Sequence, residues 1–230
     1  MGNLGRKNGQ LGAEPIPPVD GWYAPKDVKS RLRGPISSLG FLERSLLFAE
    51  LATIAYLPAR SAEQCIQRIG FESLHFFDRD GAQAYAFQHP HDCVVACRGT
   101  EPTEWNDIRA DLYALLAVAE TVGRVHRGFK REVDDLWPQI EAFIKDSTQA
   151  VWFTGHSLGG AMATICAGRC LLAHIEATPA AIYTYGSPRV GNRRYINYCE
   201  IEHARWVNNN DVVTRVPPTW MGYRHRGDEF

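Results

Sequence analysis

The stretch Ala150-Val-Trp-Phe-Thr-Gly155-His-Ser157-Leu-Gly-Gly160-Ala-Met-Ala-Thr-Ile-Cys166 decides how the rest of the chain reads. Its first five residues are mostly apolar or β-branched, the composition of a buried strand. Gly155-His156-Ser157-Leu158-Gly159 then matches G-x-S-x-G, and small apolar residues at helical spacing follow. Strand, sharp turn and helix in that order push a serine hydroxyl out above a sheet edge. They also leave the next backbone N–H, on Leu158, facing the place where an oxyanion forms. Gly155 and Gly159 give clearance where strand and helix cross, since a Cβ there obstructs the approach. The five-residue pattern alone is weak, because glycine and serine fill many ordinary turns. The flanking strand and helix make Ser157 a candidate nucleophile.

Outward from this stretch, Cys93–Cys97, Ala181–Tyr185 and Ala204–Val207 are further apolar runs of strand length. His75–Asp78 and Gln83–Gln88 flank Asp80-Gly81 and predict a hairpin. Helical spacing runs from Phe41 to Leu57, where Pro58 ends it, and again from Val133 to Ile144, where Pro138 predicts a kink or a late start. Residues 101–118 read either as one helix from Pro102 to Leu116 or as a short helix and an edge strand from Leu112. Gly227-Asp-Glu-Phe230 reads as entry into another strand. Strands alternating with helices predict an α/β fold, a mostly parallel sheet flanked by helices, over residues 41–230. Residues 1–40, with Pro15, Pro17, Pro18, Pro25 and Pro35, read as an extended arm that Trp22 and Tyr23 anchor to the domain or that is disordered.

With 230 residues and 45% hydrophobic content, the chain buries a full core without disulfide staples. Formal net charge is −1, which argues against a nucleic-acid partner and gives no bulk attraction to anionic membranes. No apolar run approaches the roughly 18 residues of a membrane span. No apolar h-region follows the basic residues of Met1–Gln10, so no signal peptide is visible and a cytoplasmic location is expected over secretion. The six cysteines, at 65, 93, 97, 166, 170 and 199, form no C-x-x-C and read as small buried hydrophobes.

In an open parallel sheet the chemistry collects beyond the carboxyl ends of the strands. Thr100, Ser157, Ser187 and Asp211 each follow a predicted strand. A serine hydroxyl needs a base to take its proton, and the base needs an acid to fix its tautomer. One known chain order runs serine, acid, histidine. Asp211 fits the acid, with an Asx-turn or helix cap as the ordinary alternative. Of the eight histidines only His225 follows it. Thr100 stands where a second oxyanion donor is expected, beside the Leu158 N–H. Trp105 and Ile108 share a helix face and fit either a flap over an apolar pocket or burial against the core.

Six blocks together resemble the class 3, or fungal-type, lipase family: Arg98-Gly99-Thr100, Val125-His126-Arg127-Gly128-Phe129, Gly155–Gly160, Thr184–Asn192, Asn209–Pro218 and Gly222-Tyr223-Arg224-His225. They fall in family order from about Phe41 to the end. The resemblance implies an α/β-hydrolase fold and hydrolysis of carboxylic esters, often acylglycerols, with no cofactor or metal. It implies Ser157 as nucleophile, Asp211 as acid, Thr100 and Leu158 as oxyanion donors, and 101–110 as a lid carrying Trp105 and Ile108 that makes transient contact with lipid. In family members the histidine comes from a later segment than Gly-Tyr-x-His. Two readings therefore stay open: His225 is the base, or the base lies in a segment outside these residues. An acyltransferase, a phospholipase, or a lipid-binding domain without its base would share the same pattern.

Overall fold

The computed structural model describes residues 27–99, 116–118, 122–173 and 175–230. Two sheets organise the chain. Among the described residues the larger has seven strands and the smaller four. The hairpin forms as predicted from β1 (Ser73–Arg79) and β2 (Ala82–Gln88), with Asp80 at φ 52° and Gly81 at φ 91° in its two-residue turn. β3 (Asp92–Cys97) pairs antiparallel to β2 and parallel to β6 (Ala150–His156). Parallel pairing then continues through β7 (Pro179–Tyr185), β9 (His203–Trp206) and β11 (Asp228–Glu229), the strand that the last residues announced.

Alternation along the central strands splits the core in two. Cys93, Val95, Cys97, Val151 and Phe153 point to one face, and Val94, Ala96 and Trp152 to the other. The first face is covered by α3 (Arg127–Ile144) and α4 (Leu158–Leu172), the second by α1 (Phe41–Ile54) and α2 (Ala59–Ile69). Both faces being covered explains why these strands are continuous apolar runs. A side chain such as Phe153, fully buried, contributes about 2–3 kcal/mol. All six cysteines are buried and free. Cys97 donates to or accepts from Cys166, and that contact with burial holds its thiol well above the usual range.

One expectation needs correction. α3 is one unbroken helix that starts at Arg127, six residues before the predicted Val133, and passes through Pro138. His126 caps it, Nδ1 accepting the Phe129 N–H at 3.4 Å, and the buried stripe Phe129, Val133, Leu136, Trp137, Ile140 and Ile144 anchors it. That apolar stripe outweighs the single N–H that proline lacks. The described part of the arm, from residue 27, lies against the domain: Val28, Leu32 and Ile36 are buried in the core with Leu47, Phe48 and Leu51. Glu50 carboxylate oxygens accept the Lys29 and Ser30 N–H groups, fixing the arm to α1. Trp22 and Tyr23 lie outside the described residues.

The smaller sheet closes one side through short strands: β4 (Leu116–Val118), β5 (Arg124–His126), β8 (Gly191–Asn192) and β10 (Tyr223–Arg224). Asn192 Oδ1 accepts from Tyr195 N and from Arg124 N, both at 3.0 Å. It thereby caps the short α5 (Arg193–Tyr198) and pins β8 to β5. Among the described residues no helix is long and apolar enough to cross a membrane.

Candidate active site

β6 ends at His156, and Ser157 turns the chain into α4 at φ 58°, ψ −127°. A non-glycine residue in such a region costs about 1–3 kcal/mol, so its surroundings must hold it there. They do: the Ser157 N–H donates to the Tyr185 carbonyl at 2.8 Å, and its own carbonyl accepts from Gly160 N at 2.9 Å. The glycines supply the clearance that their spacing suggested. A Cβ on Gly155 would collide with the Gly159 carbonyl group, and one on Gly159 with the Cys97 carbonyl oxygen. A Cβ on Gly99 would stand 2.6 Å from the His156 carbonyl oxygen, so β3 presses on the same turn.

Ser157 is only 1% exposed, and its Oγ has no hydrogen-bond partner among the described residues. The Leu158 N–H, first of the helix, also has no acceptor among the described residues. It is one of the orphan donors that every helix start presents. A hydroxyl and an N–H are thus held free at one strand end.

Asp211 follows β9 in the Asn208-Asn209-Asn210 turn. Its Oδ1 accepts the Val213 N–H at 2.9 Å, so the Asx-turn anticipated as the ordinary alternative is present. Only one carboxylate oxygen is engaged by it. Oδ2 lies against Gly186, 2.8 Å from where a Cβ would stand, and the His156 Nε2 lies 3.7 Å from that same point. Gly186, at φ 59°, leaves the space through which the acid reaches the ring beside Ser157. Oδ2 forms no hydrogen bond among the described residues.

The histidines divide clearly. His156 turns its Nδ1 to the Tyr56 hydroxyl at 3.2 Å, and burial lowers its pKa while the Asp211 carboxylate raises it. His203 Nε2 meets Thr184 Oγ1 at 2.9 Å, and burial pushes its pKa down to about 3. His225 Nε2 faces the Thr214 carbonyl oxygen at 2.7 Å, with its pKa lowered to about 4 by burial and then by Arg205. The structure therefore brings Asp211 to the serine turn but does not bring His225 into hydrogen-bond distance of Ser157. Thr100, Trp105, Ile108 and the 101–110 segment lie outside the described residues. Tyr56, at the end of the helix Phe41–Ile54, is a neighbour of the site that no sequence motif marked. Ser187 is buried with Oγ on the Pro188 carbonyl at 3.2 Å. Among the described residues no three His, Cys, Asp or Glu side chains group closely enough to hold a metal ion.

Residues 94–221, more than half of the chain, match the family model described as Lipase (class 3). The chain belongs to the class 3 lipase family. Within it, the chain is 36% identical over 118 residues to the secreted mono- and diacylglycerol lipase 1 of Fusarium solani, a match covering 46% of this chain and 33% of that protein. It is 37% identical over 119 residues to the toxin TseL of Vibrio cholerae, covering 50% of this chain and 18% of that protein. The matched region is thus about a third or less of these relatives. Among solved structures, lipase II from Rhizopus niveus superposes with a TM-score of 0.65 at 27% identity, covering 82% of this chain and 79% of that one. The Rhizomucor miehei triacylglyceride lipase superposes at 0.60 and 26% identity, over 70% of this chain and 65% of that one. The α/β-hydrolase fold expected from the sequence is shown by these neighbours.

The expectation of a cytoplasmic location is corrected by the same comparison, since the Fusarium relative is a secreted lipase.

Proposed function

We propose that this chain carries the nucleophile and acid of a serine hydrolase that cleaves carboxylic esters, with acylglycerols as its substrate class. Ser157 Oγ attacks the ester carbonyl, and the Leu158 N–H, with Thr100, holds the oxyanion of the tetrahedral intermediate. An imidazole oriented by Asp211 takes the serine proton and returns it to the leaving alcohol, and water then resolves the acyl-enzyme. The carrying observation is the serine turn itself: a strained, buried Ser157 whose Oγ no neighbour engages. Asp211 Oδ2, unengaged and close to the same turn, supports the acid role. Similarity to a secreted mono- and diacylglycerol lipase supports both the substrate class and an extracellular setting.

His225 is occupied by Thr214, so the reading includes an imidazole supplied from outside the described residues. The test is hydrolysis of short and long p-nitrophenyl esters and of a diacylglycerol by the full natural chain, alongside Ser157→Ala. Activity that disappears with Ser157→Ala, together with labelling of Ser157 by a fluorophosphonate, supports the proposal. Undiminished activity in Ser157→Ala refutes it.

A further inference from the structure

The segment that follows Asp211 carries a surface that the ester chemistry does not use. Trp220, in the 3-10 turn Thr219–Met221, is 80% exposed, the most exposed large hydrophobic among the described residues. Val212, next to the acid, is 47% exposed. Three arginines border the same segment, and each is steadied by backbone carbonyls rather than carboxylates. Arg189 Nη1 donates to the Arg215 and Pro217 carbonyls, Arg215 Nη2 to the Asn209 carbonyl, and Arg224 Nη1 to the Thr219 and Tyr223 carbonyls. Carbonyl partners orient a guanidinium without cancelling its charge. Burial, then the charges of Arg205 and Arg224, hold the Arg189 pKa down, and Glu229 offsets only part of that effect. Glu229 is paired with Arg205 at 3.0 Å.

The imbalance is local. From Gly186 to Arg226 the sequence holds seven arginines against three carboxylates, in a chain whose net charge is −1. An exposed indole on the same loop as arginines that no carboxylate hydrogen-bonds among the described residues matches a lipid–water boundary that bears negative charge. Indole rings settle at the headgroup level, and arginines near an anionic leaflet gain favourable energy there. A soluble polyanion would engage the arginines but gain nothing from Trp220.

We infer that Val212–Arg224, with Arg189, is a docking surface for anionic phospholipid membranes. It is built on the loop of the acid rather than on the 101–110 segment. Docking there sets the membrane beside the loop that carries Asp211. The inference concerns binding and stands apart from whether Ser157 is active.

The experiment is co-sedimentation of the full chain with phosphatidylcholine vesicles, with and without phosphatidylglycerol, comparing parent, Trp220→Ser and Arg215→Gln. Thermal melts check that each variant folds. The parent should partition onto the phosphatidylglycerol vesicles over the neutral ones. Arg215→Gln should weaken that partition about five-fold, the worth of one basic residue at an anionic surface. Trp220→Ser should weaken it on the charged vesicles while retention on heparin stays at the parental level. Partition should vanish at about 1 M salt, where the Debye length falls to about 3 Å. Equal binding to both vesicle types overturns the inference, as does partition indifferent to Trp220→Ser. Retention on heparin with no vesicle partition also overturns it, marking a site for soluble polyanions. Fluorophosphonate labelling of Ser157, run in parallel without vesicles, reports separately on the hydrolase reading.

Discussion

The Nε2 of His225 lies 2.7 Å from the carbonyl oxygen of Thr214. A carbonyl oxygen only accepts, so Nε2 carries the hydrogen and Nδ1 is the bare nitrogen. Thr214 belongs to the 3-10 turn Val213–Arg215 just after the acid, and its hydroxyl donates to the Asp211 carbonyl at 3.0 Å. The imidazole thus braces the loop that holds Asp211. His225→Ala should lower unfolding free energy by about 1–2 kcal/mol, the worth of a lost hydrogen bond and its packing. It should leave fluorophosphonate labelling of Ser157 at the parental rate, whereas Ser157→Ala abolishes labelling. Labelling as poor as in Ser157→Ala would make His225 the base after all.

Acid should unfold the chain early, and through two particular histidines. His203 and His225 are held down to about 3 and about 4, from an ordinary 6.5, in both cases mainly by burial. Between about pH 4 and 6.5 the unfolded chain binds protons that the folded chain excludes. Stability is then fully present above about pH 6.5 and falls as pH drops through this window, by up to about 1.4 kcal/mol per unit for each histidine. Urea midpoints measured from pH 7 to pH 4.5 should decline accordingly. The slope should become shallower in His225→Gln, which cannot take up the proton.

The fold was largely legible because its strongest signals are local. A G-x-S-x-G turn between an apolar strand and a small-residue helix admits few arrangements, and Asp80-Gly81 fixes the hairpin register. The smaller sheet was not legible: β8 and β10 are two residues each, too short to show a period. The start of α3 was hidden because His126 caps it, a residue type rarely read as a cap, and because Pro138 argued for a break. At the site, chain order placed His225 after Asp211 but carries no distance. Gly186 could be read only as a strand end, yet its missing side chain is what lets Asp211 Oδ2 approach the His156 ring.

Gly155→Ala should be costly in a way that its small size belies. The added methyl meets the backbone of Gly159, where neither β6 nor α4 has a flexible side chain to move aside. Overpacking of this kind costs about 1–3 kcal/mol, and it displaces Ser157 as well. Gly34→Ala is the control, because its nearest neighbour would be Ser38 Oγ at an ordinary 3.9 Å. Urea unfolding should show a clear loss for the first and little change for the second. Equal effects would mean that the strand and helix separate more easily than their packing implies.

At the opposite end of the parallel strands, Asp92 ties three segments together. It is 1% exposed, with Oδ1 accepting from Trp152 Nε1 at 2.8 Å and Oδ2 accepting the Ile36 N–H at 2.8 Å. The His89 Nδ1 lies 3.6 Å from Oδ2. One carboxylate therefore joins the arm to β3 and β6. Hydrogen bonds to a charged group are worth about 1.5–3 kcal/mol each, and a buried donor left alone adds its own penalty. Asp92→Ala orphans both the indole N–H and the Ile36 N–H, so a loss of about 3 kcal/mol or more is expected in urea unfolding. Trp152→Phe removes one bond but keeps a ring against Phe48, whose centroid lies 5.6 Å away, so its loss should be smaller. Asp92→Asn should fall between them, since one amide oxygen still accepts while the NH2 faces a donor. A ranking in which Trp152→Phe exceeds Asp92→Ala would show that the indole ring's packing, not the carboxylate, holds this end of the sheet.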